Sequence, residues 1–138
     1  MTGMFEAIDH LGIAVAELES ALASYGEQFG LALVHREVVA EQGVEVALLE
    51  VGDGHVELLA PLSGDSTVAR FIAARGPGLH HVAYRVADID ATLAELVQRE
   101  VELIDERPRT GVRDSRVAFI HPRATGGVLT EIVQGASP

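Results

Sequence analysis

Asp9-His10-Leu11-Gly12-Ile13-Ala14-Val15 and, 71 residues further on, His80-His81-Val82-Ala83-Tyr84-Arg85-Val86 are two versions of one segment. In each, a histidine shares one side of an alternating pattern with small residues (Gly12 and Ala14; Ala83). Bulky residues (Leu11, Ile13, Val15; Val82, Val86) take the other side, the period of a strand with one crowded face. The match runs on into Leu18, Leu22 and Tyr25 against Ile89, Leu93 and Leu96, the spacing of a helix's buried stripe. Each copy therefore opens with a strand followed by a helix. Asp88 is the predicted N-cap of the second helix, and the first is predicted to begin near Ala16.

β-rich runs follow in both copies, near 31–38, 44–51 and 55–60 in the first and near 101–104, 115–121 and 127–133 in the second. The last runs align as Val56-Glu57-Leu58-Leu59 with Thr130-Glu131-Ile132-Val133, and a three-residue insertion accounts for the longer offset of 74. Each half reads βαβββ, module one over about 5–61 and module two over about 79–135. In the linker 62–78, Ser66 to Arg75 predicts a short helix and Gly76-Pro77-Gly78 its stop. Neither half can bury its helix and sheet face well alone, so an α+β fold is expected. It comprises two tandem βαβββ modules forming a curved mixed sheet around a cleft, one domain over 1–138.

With 138 residues and 48% hydrophobic content the chain can fill such a core. It has no cysteine, which removes disulfides, thiolate metal sites and cysteine nucleophiles, and leaves nitrogen and oxygen as the ligands for any metal. The opening MTGMFEAIDHLGIAV lacks a basic segment leading into a long apolar one. No apolar run approaches the roughly 20 residues that span a bilayer, so a soluble cytoplasmic protein is expected. A formal charge of −11 argues against nucleic-acid or anionic-membrane partners. All ten basic residues are arginines, and Arg107, Arg109, Arg113, Arg116 and Arg123 cluster in 107–123. Such a cluster could receive a small anionic ligand or could be a solvated loop held in local ion pairs.

The repeat places His10 with His81 and Glu57 with Glu131 at equivalent points of equivalent strands. If the bulky faces pack on the helices, these four converge on the open face. Two imidazoles and two carboxylates suit a divalent metal of intermediate hardness such as Co, Mn, Ni, Zn or Fe, with two positions of an octahedral shell left open. His80 should point to the opposite face, and His35 and His55, without repeat counterparts, should be solvated. His121, followed by Pro122-Arg123 with Gly126-Gly127 beyond, marks a turn that either contacts a ligand at the mouth of the cleft or is simply a turn. No nucleophile elbow, phosphate loop or dinucleotide fingerprint is present.

With these residues placed, the chain resembles the vicinal oxygen chelate superfamily (glyoxalase, bleomycin resistance and dioxygenase proteins). Within it, the methylmalonyl-CoA epimerase family is the nearest likeness. The resemblance runs from Ile8 to about Gln134, through IDHLGIAV, VELLAPLSGDSTVARF, GLHHVAYRVADIDA and FIHPRATGGVLTEI. It implies an isomerase that interconverts the (R) and (S) C2 epimers of methylmalonyl-CoA through a metal-stabilised enolate. It also implies a homodimer with one divalent metal per chain, cobalt foremost. The implied ligands fall on His10, His81 and Glu131, with Glu57 fourth. Inversion at carbon calls for two acid/base groups, and the resemblance puts these at Glu131 and Glu45, the latter in Glu41-Gln42-Gly43-Val44-Glu45. Arg113, Arg116, His121 and Arg123 are then the expected contacts to the coenzyme A thioester. The same fold and ligand pattern serve glyoxalase-type isomerases, extradiol dioxygenases and antibiotic-sequestering proteins, so fold alone does not choose among them. A module expressed without its partner half is expected to be insoluble, which a solubility assay of residues 1–61 checks.

Overall fold

The computed structural model describes residues 3–135. Its elements are β1 (Ala7–Ala14), α1 (Leu18–Leu22, continued by a π-helical turn Ala23–Gln28), β2 (Leu33–Val39), β3 (Val44–Val51), β4 (Gly54–Pro61) and α2 (Thr67–Arg75). There follow β5 (Gly78–Arg85), α3 (Ile89–Gln98), β6 (Arg109–Thr110), β7 (Arg116–Ile120) and β8 (Thr130–Gln134). The strands are ordered β2-β3-β4-β1 in the first module and β5-β8-β7-β6 in the second, the α+β arrangement of two βαβββ modules expected from the repeat. The described residues divide into two compact units, His10–His80 and a second formed by 3–9 with 81–135.

In the unit of residues 10–80, β1 runs parallel to β4 while β2, β3 and β4 pair antiparallel. Strand alternation sends Ala47, Leu49, Leu58 and Ala60 to the face that packs on Leu18 and Ala21 of α1, with Ile13, Val15, Leu22 and Tyr25 against them. The segment expected as a linker holds α2, whose N-cap Ser66 accepts a hydrogen bond from the Ala69 amide at 3.1 Å. The helix ends at Gly76, whose amide donates to the Ile72 carbonyl at 2.7 Å.

The other unit repeats the plan: β5 runs parallel to β8, and β8, β7 and β6 pair antiparallel. Ala118, Ile120 and Ile132 meet Ile89, Leu93 and Leu96 of α3 in its core. Asp88 caps α3 as expected, accepting from the Ala91 amide at 3.1 Å. The strand expected at 101–104 is absent. Leu103 makes one isolated bridge to Ile120, and the strand beside β7 is instead the short β6 at 109–110. The apolar residues of 101–104 do pack, with Val101 and Leu103 against the α3 core, so their hydrophobicity reflects burial without a ladder.

β6 lies close on β7 because Gly111 follows it. A Cβ there would sit 2.6 Å from Val117 Cγ1 and 2.9 Å from Ser115 Oγ, and both residues are buried. Val117 is β-branched and stiff at χ1, so it cannot swing clear. Gly111→Ala is expected to cost about 1–3 kcal/mol through overpacking, measured as a lower midpoint in thermal unfolding.

Candidate metal centre

In the unit of residues 10–80, the β1–β4 register sets Gly12 opposite Glu57, which leaves His10 two residues earlier on the same face. His10 Nε2 and Glu57 Oε2 lie 3.7 Å apart. In the other unit, the β5–β8 register sets Ala83 opposite Glu131, again with His81 two residues earlier, and His81 Nε2 lies 3.5 Å from Glu131 Oε1. The residue facing each glutamate carries no side chain or a single methyl, so each carboxylate can lean toward its histidine.

All four side chains are buried, with His10 6%, Glu57 5%, His81 4% and Glu131 7% exposed. Both His–Glu separations exceed ordinary hydrogen-bond length and suit two ligands of one ion. His10 with Glu57 in one unit, and His81 with Glu131 in the other, each offer nitrogen and oxygen atoms of the kind that ligate a divalent ion. Buried carboxylates are costly unless compensated by charge. A divalent cation matches two carboxylates in charge and accepts imidazole nitrogen as a ligand, so the donor types fit such an ion.

Phe119 was not singled out from the sequence, although it belongs to this face. It pairs with Glu131 across β7–β8, and its ring stands edge-on to the His81 imidazole at 5.8 Å and 84°. Carrying the repeat offset of 71 onto β3 and β7 would have found it, since Leu48 pairs with Glu57 in the same way.

Glu45 is not on this face. It pairs with Ala60, on the side of β3 that packs against α1, and Val46 is the buried neighbour on the Glu57 side. A shift of one residue along a strand reverses the face. The Glu45 carboxylate accepts a hydrogen bond from Arg36 Nε at 3.0 Å, and Arg36 Nη2 donates to Glu19 at 2.6 Å. The bonds to the two glutamates, Glu45 first, raise the Arg36 pKa above its ordinary value.

The expected ligand-contacting residues are likewise spread. Arg116 pairs with Gln134 and so faces away from Glu131, donating twice to Asp90 at 2.8 and 3.1 Å. That contact holds the Asp90 carboxyl below its usual range. Arg123 donates twice to Glu102, at 3.1 and 2.6 Å, and lowers the Glu102 pKa in the same way. His121 caps the turn Pro122–Thr125, accepting from the Arg123 amide through Nδ1 at 3.0 Å. Arg113 sits in the turn Val112–Asp114 with a left-handed φ of 59°. For Arg116 and Arg123 the structure therefore shows local ion pairs, and for His121 a turn.

A family model described as the Glyoxalase/Bleomycin resistance protein/Dioxygenase superfamily matches residues 9–119. An uncharacterised Bacillus subtilis protein, YqjC, is 42% identical over 127 residues, covering 92% of this chain and 91% of its own. The crystal structure of methylmalonyl-CoA epimerase from Mycobacterium tuberculosis matches with a TM-score of 0.95 at 42% identity, over 99% of this chain and 93% of that one. A methylmalonyl-CoA epimerase in complex with methylmalonyl-CoA and an ammonium ion matches with a TM-score of 0.91 at 37% identity, over 96% of each chain. With its doubled His–Glu register and these matches, the chain belongs to the Glyoxalase/Bleomycin resistance protein/Dioxygenase superfamily, alongside its methylmalonyl-CoA epimerases.

Proposed function

We propose that this protein is an isomerase interconverting the two C2 epimers of methylmalonyl-CoA, with one divalent metal ion, cobalt first among the candidates, held by His10, His81, Glu131 and Glu57. The observation that carries the reading is the paired burial of His10 beside Glu57 and His81 beside Glu131 at one and the same register. The two epimerase structures, one with methylmalonyl-CoA bound, supply the substrate class. A metal at these ligands would supply Lewis acidity toward the oxygens of a malonyl thioester.

The chain's own residues would do the rest. The two imidazoles and the carboxylates would set where a cation can sit. The buried surroundings keep bulk water from competing for the C2 proton. Epimerisation removes that proton on one face of the carbon and returns one on the other. Glu57 and Glu131 are the buried carboxylates among the described residues, and with Glu45 turned to the α1 face they are the groups available for it. In this reading Glu131 serves one face and Glu57 the other. The assembly is read as a homodimer and the compartment as cytoplasm. No helix among the described residues is long and apolar enough to cross a membrane.

One epimer incubated with cobalt-loaded protein in heavy water should gain deuterium at C2 and invert, while with metal-stripped protein it should do neither. Mass spectrometry with an epimer-specific coupled enzyme reads both. Exchange absent from a protein that holds cobalt would sink the proposal and turn attention to oxygen consumption and hemithioacetal isomerisation. His81→Ala is expected to weaken cobalt binding at least about a hundredfold, more than loss of a ligand's supporting partner usually costs, as measured by competition with a chelator. Glu57→Gln should still exchange the proton of one epimer while losing inversion. Equal exchange and inversion from both epimers in that variant would remove Glu57 from proton transfer.

A further inference from the structure

We propose that Arg109 is the residue through which this site grips the anionic part of its ligand. The assignment rests on the reading that the ligand is a coenzyme A thioester, whose negative charges lie on the acyl carboxylate and on the phosphates. The register carries it. Arg109 pairs with Val117 and Val117 with Val133, two residues along from the Phe119–Glu131 pair, so β6 presents Arg109 on the same face as Glu131. Its guanidinium lies over the Phe119 ring, 5.7 Å from the centroid, and that ring is the one standing edge-on to His81. Arg109 thus sits one aromatic ring away from a proposed metal ligand.

The guanidinium is also held in place. Asp105 Oδ2 accepts from Arg109 Nη2 at 3.2 Å and from the Phe119 amide at 2.9 Å, so one carboxylate ties the arginine to the strand whose ring it covers. Among the described residues Asp105 is the hydrogen-bond partner of Arg109, which leaves most of its five N–H donors open, and the side chain is half exposed. Arg116 and Arg123, the arginines expected for this task from sequence, instead spend two donors each on Asp90 and Glu102. In a chain of net charge −11, a fixed and partly solvated guanidinium on the face of the site is where a polyanionic ligand meets favourable potential. Arginine's fork suits carboxylate and phosphate alike.

The test is calorimetric binding of malonyl-CoA, which has no stereocentre to invert, to the cobalt-loaded wild type, Arg109→Gln and Arg109→Lys. Arg109→Gln should weaken binding by about tenfold or more, the usual scale of a charge-assisted contact, and Arg109→Lys should recover part of the loss. Cobalt affinity should stay as in the wild type. Malonyl-pantetheine, which lacks the phosphates, separates the two sources of charge. A loss that persists with it assigns Arg109 to the carboxylate, and a loss that vanishes assigns it to a phosphate. Unchanged malonyl-CoA affinity in Arg109→Gln, or a loss of cobalt affinity that accounts for the weaker binding, overturns the assignment. Because binding is measured without turnover, a protein that binds malonyl-CoA but fails to exchange deuterium sinks the epimerase reading while leaving that of Arg109 intact.

Discussion

Parallel pairing of a first strand with a last strand, made twice, is the constraint on which the rest depends. In β1–β4 and β5–β8 the ladder sets a glutamate opposite Gly12 or Ala83 and leaves a histidine two positions earlier on the same face. A parallel ladder needs a crossover between its strands, and here the helix and two further strands of each module supply it. The helix then covers the opposite face of the sheet, where Leu58 and Ile132 are fully buried. One side of each sheet is thus committed to packing and the other freed for chemistry.

That division settles what the open face tolerates. Two buried carboxylates would oppose folding if they stood alone in a medium of low dielectric. The imidazoles at 3.5 and 3.7 Å add nitrogen donors beside each carboxylate, of the kind to which a divalent cation corresponds in hardness. An ion held there would couple its binding to stability, since the charges that would recruit it are those that burial penalises.

Charged residues outside the open face follow ordinary surface logic. Arg36 joins Glu19 and Glu45 beside α1, Arg116 ties β7 to Asp90 at the start of α3, and Arg123 ties the turn after β7 to Glu102. These pairs are solvated, and exposed pairs of this kind contribute little to stability. Their role is to hold turns and helix ends in register around the sheet. Arg109 differs because the strand carrying it is pinned by the close approach of Gly111 to Val117, on the face that bears His81 and Glu131.

Much of this was legible in the chain. The doubled segment around His10 and His81, the matched Glu57 and Glu131, the two helices with their stripes and the Asp88 cap all follow from periodicities of two and 3.6. Those periodicities are local properties of a polypeptide. The module plan and the matched placing of the two His–Glu pairs were thus determined by sequence alone. Only the tertiary structure decided which face Glu45 takes, because a one-residue difference in register is invisible without the partner strand. The same holds for the short β6 in place of 101–104, and for which arginines are consumed by distant acids. Asp90 lies 26 residues from Arg116 and Glu102 lies 21 from Arg123, so no local pattern could announce those pairings. Phe119 and Arg109 came into view for the same physical reason: what a side chain on a strand can touch is set by its neighbours across the ladder, which the chain brings together only on folding.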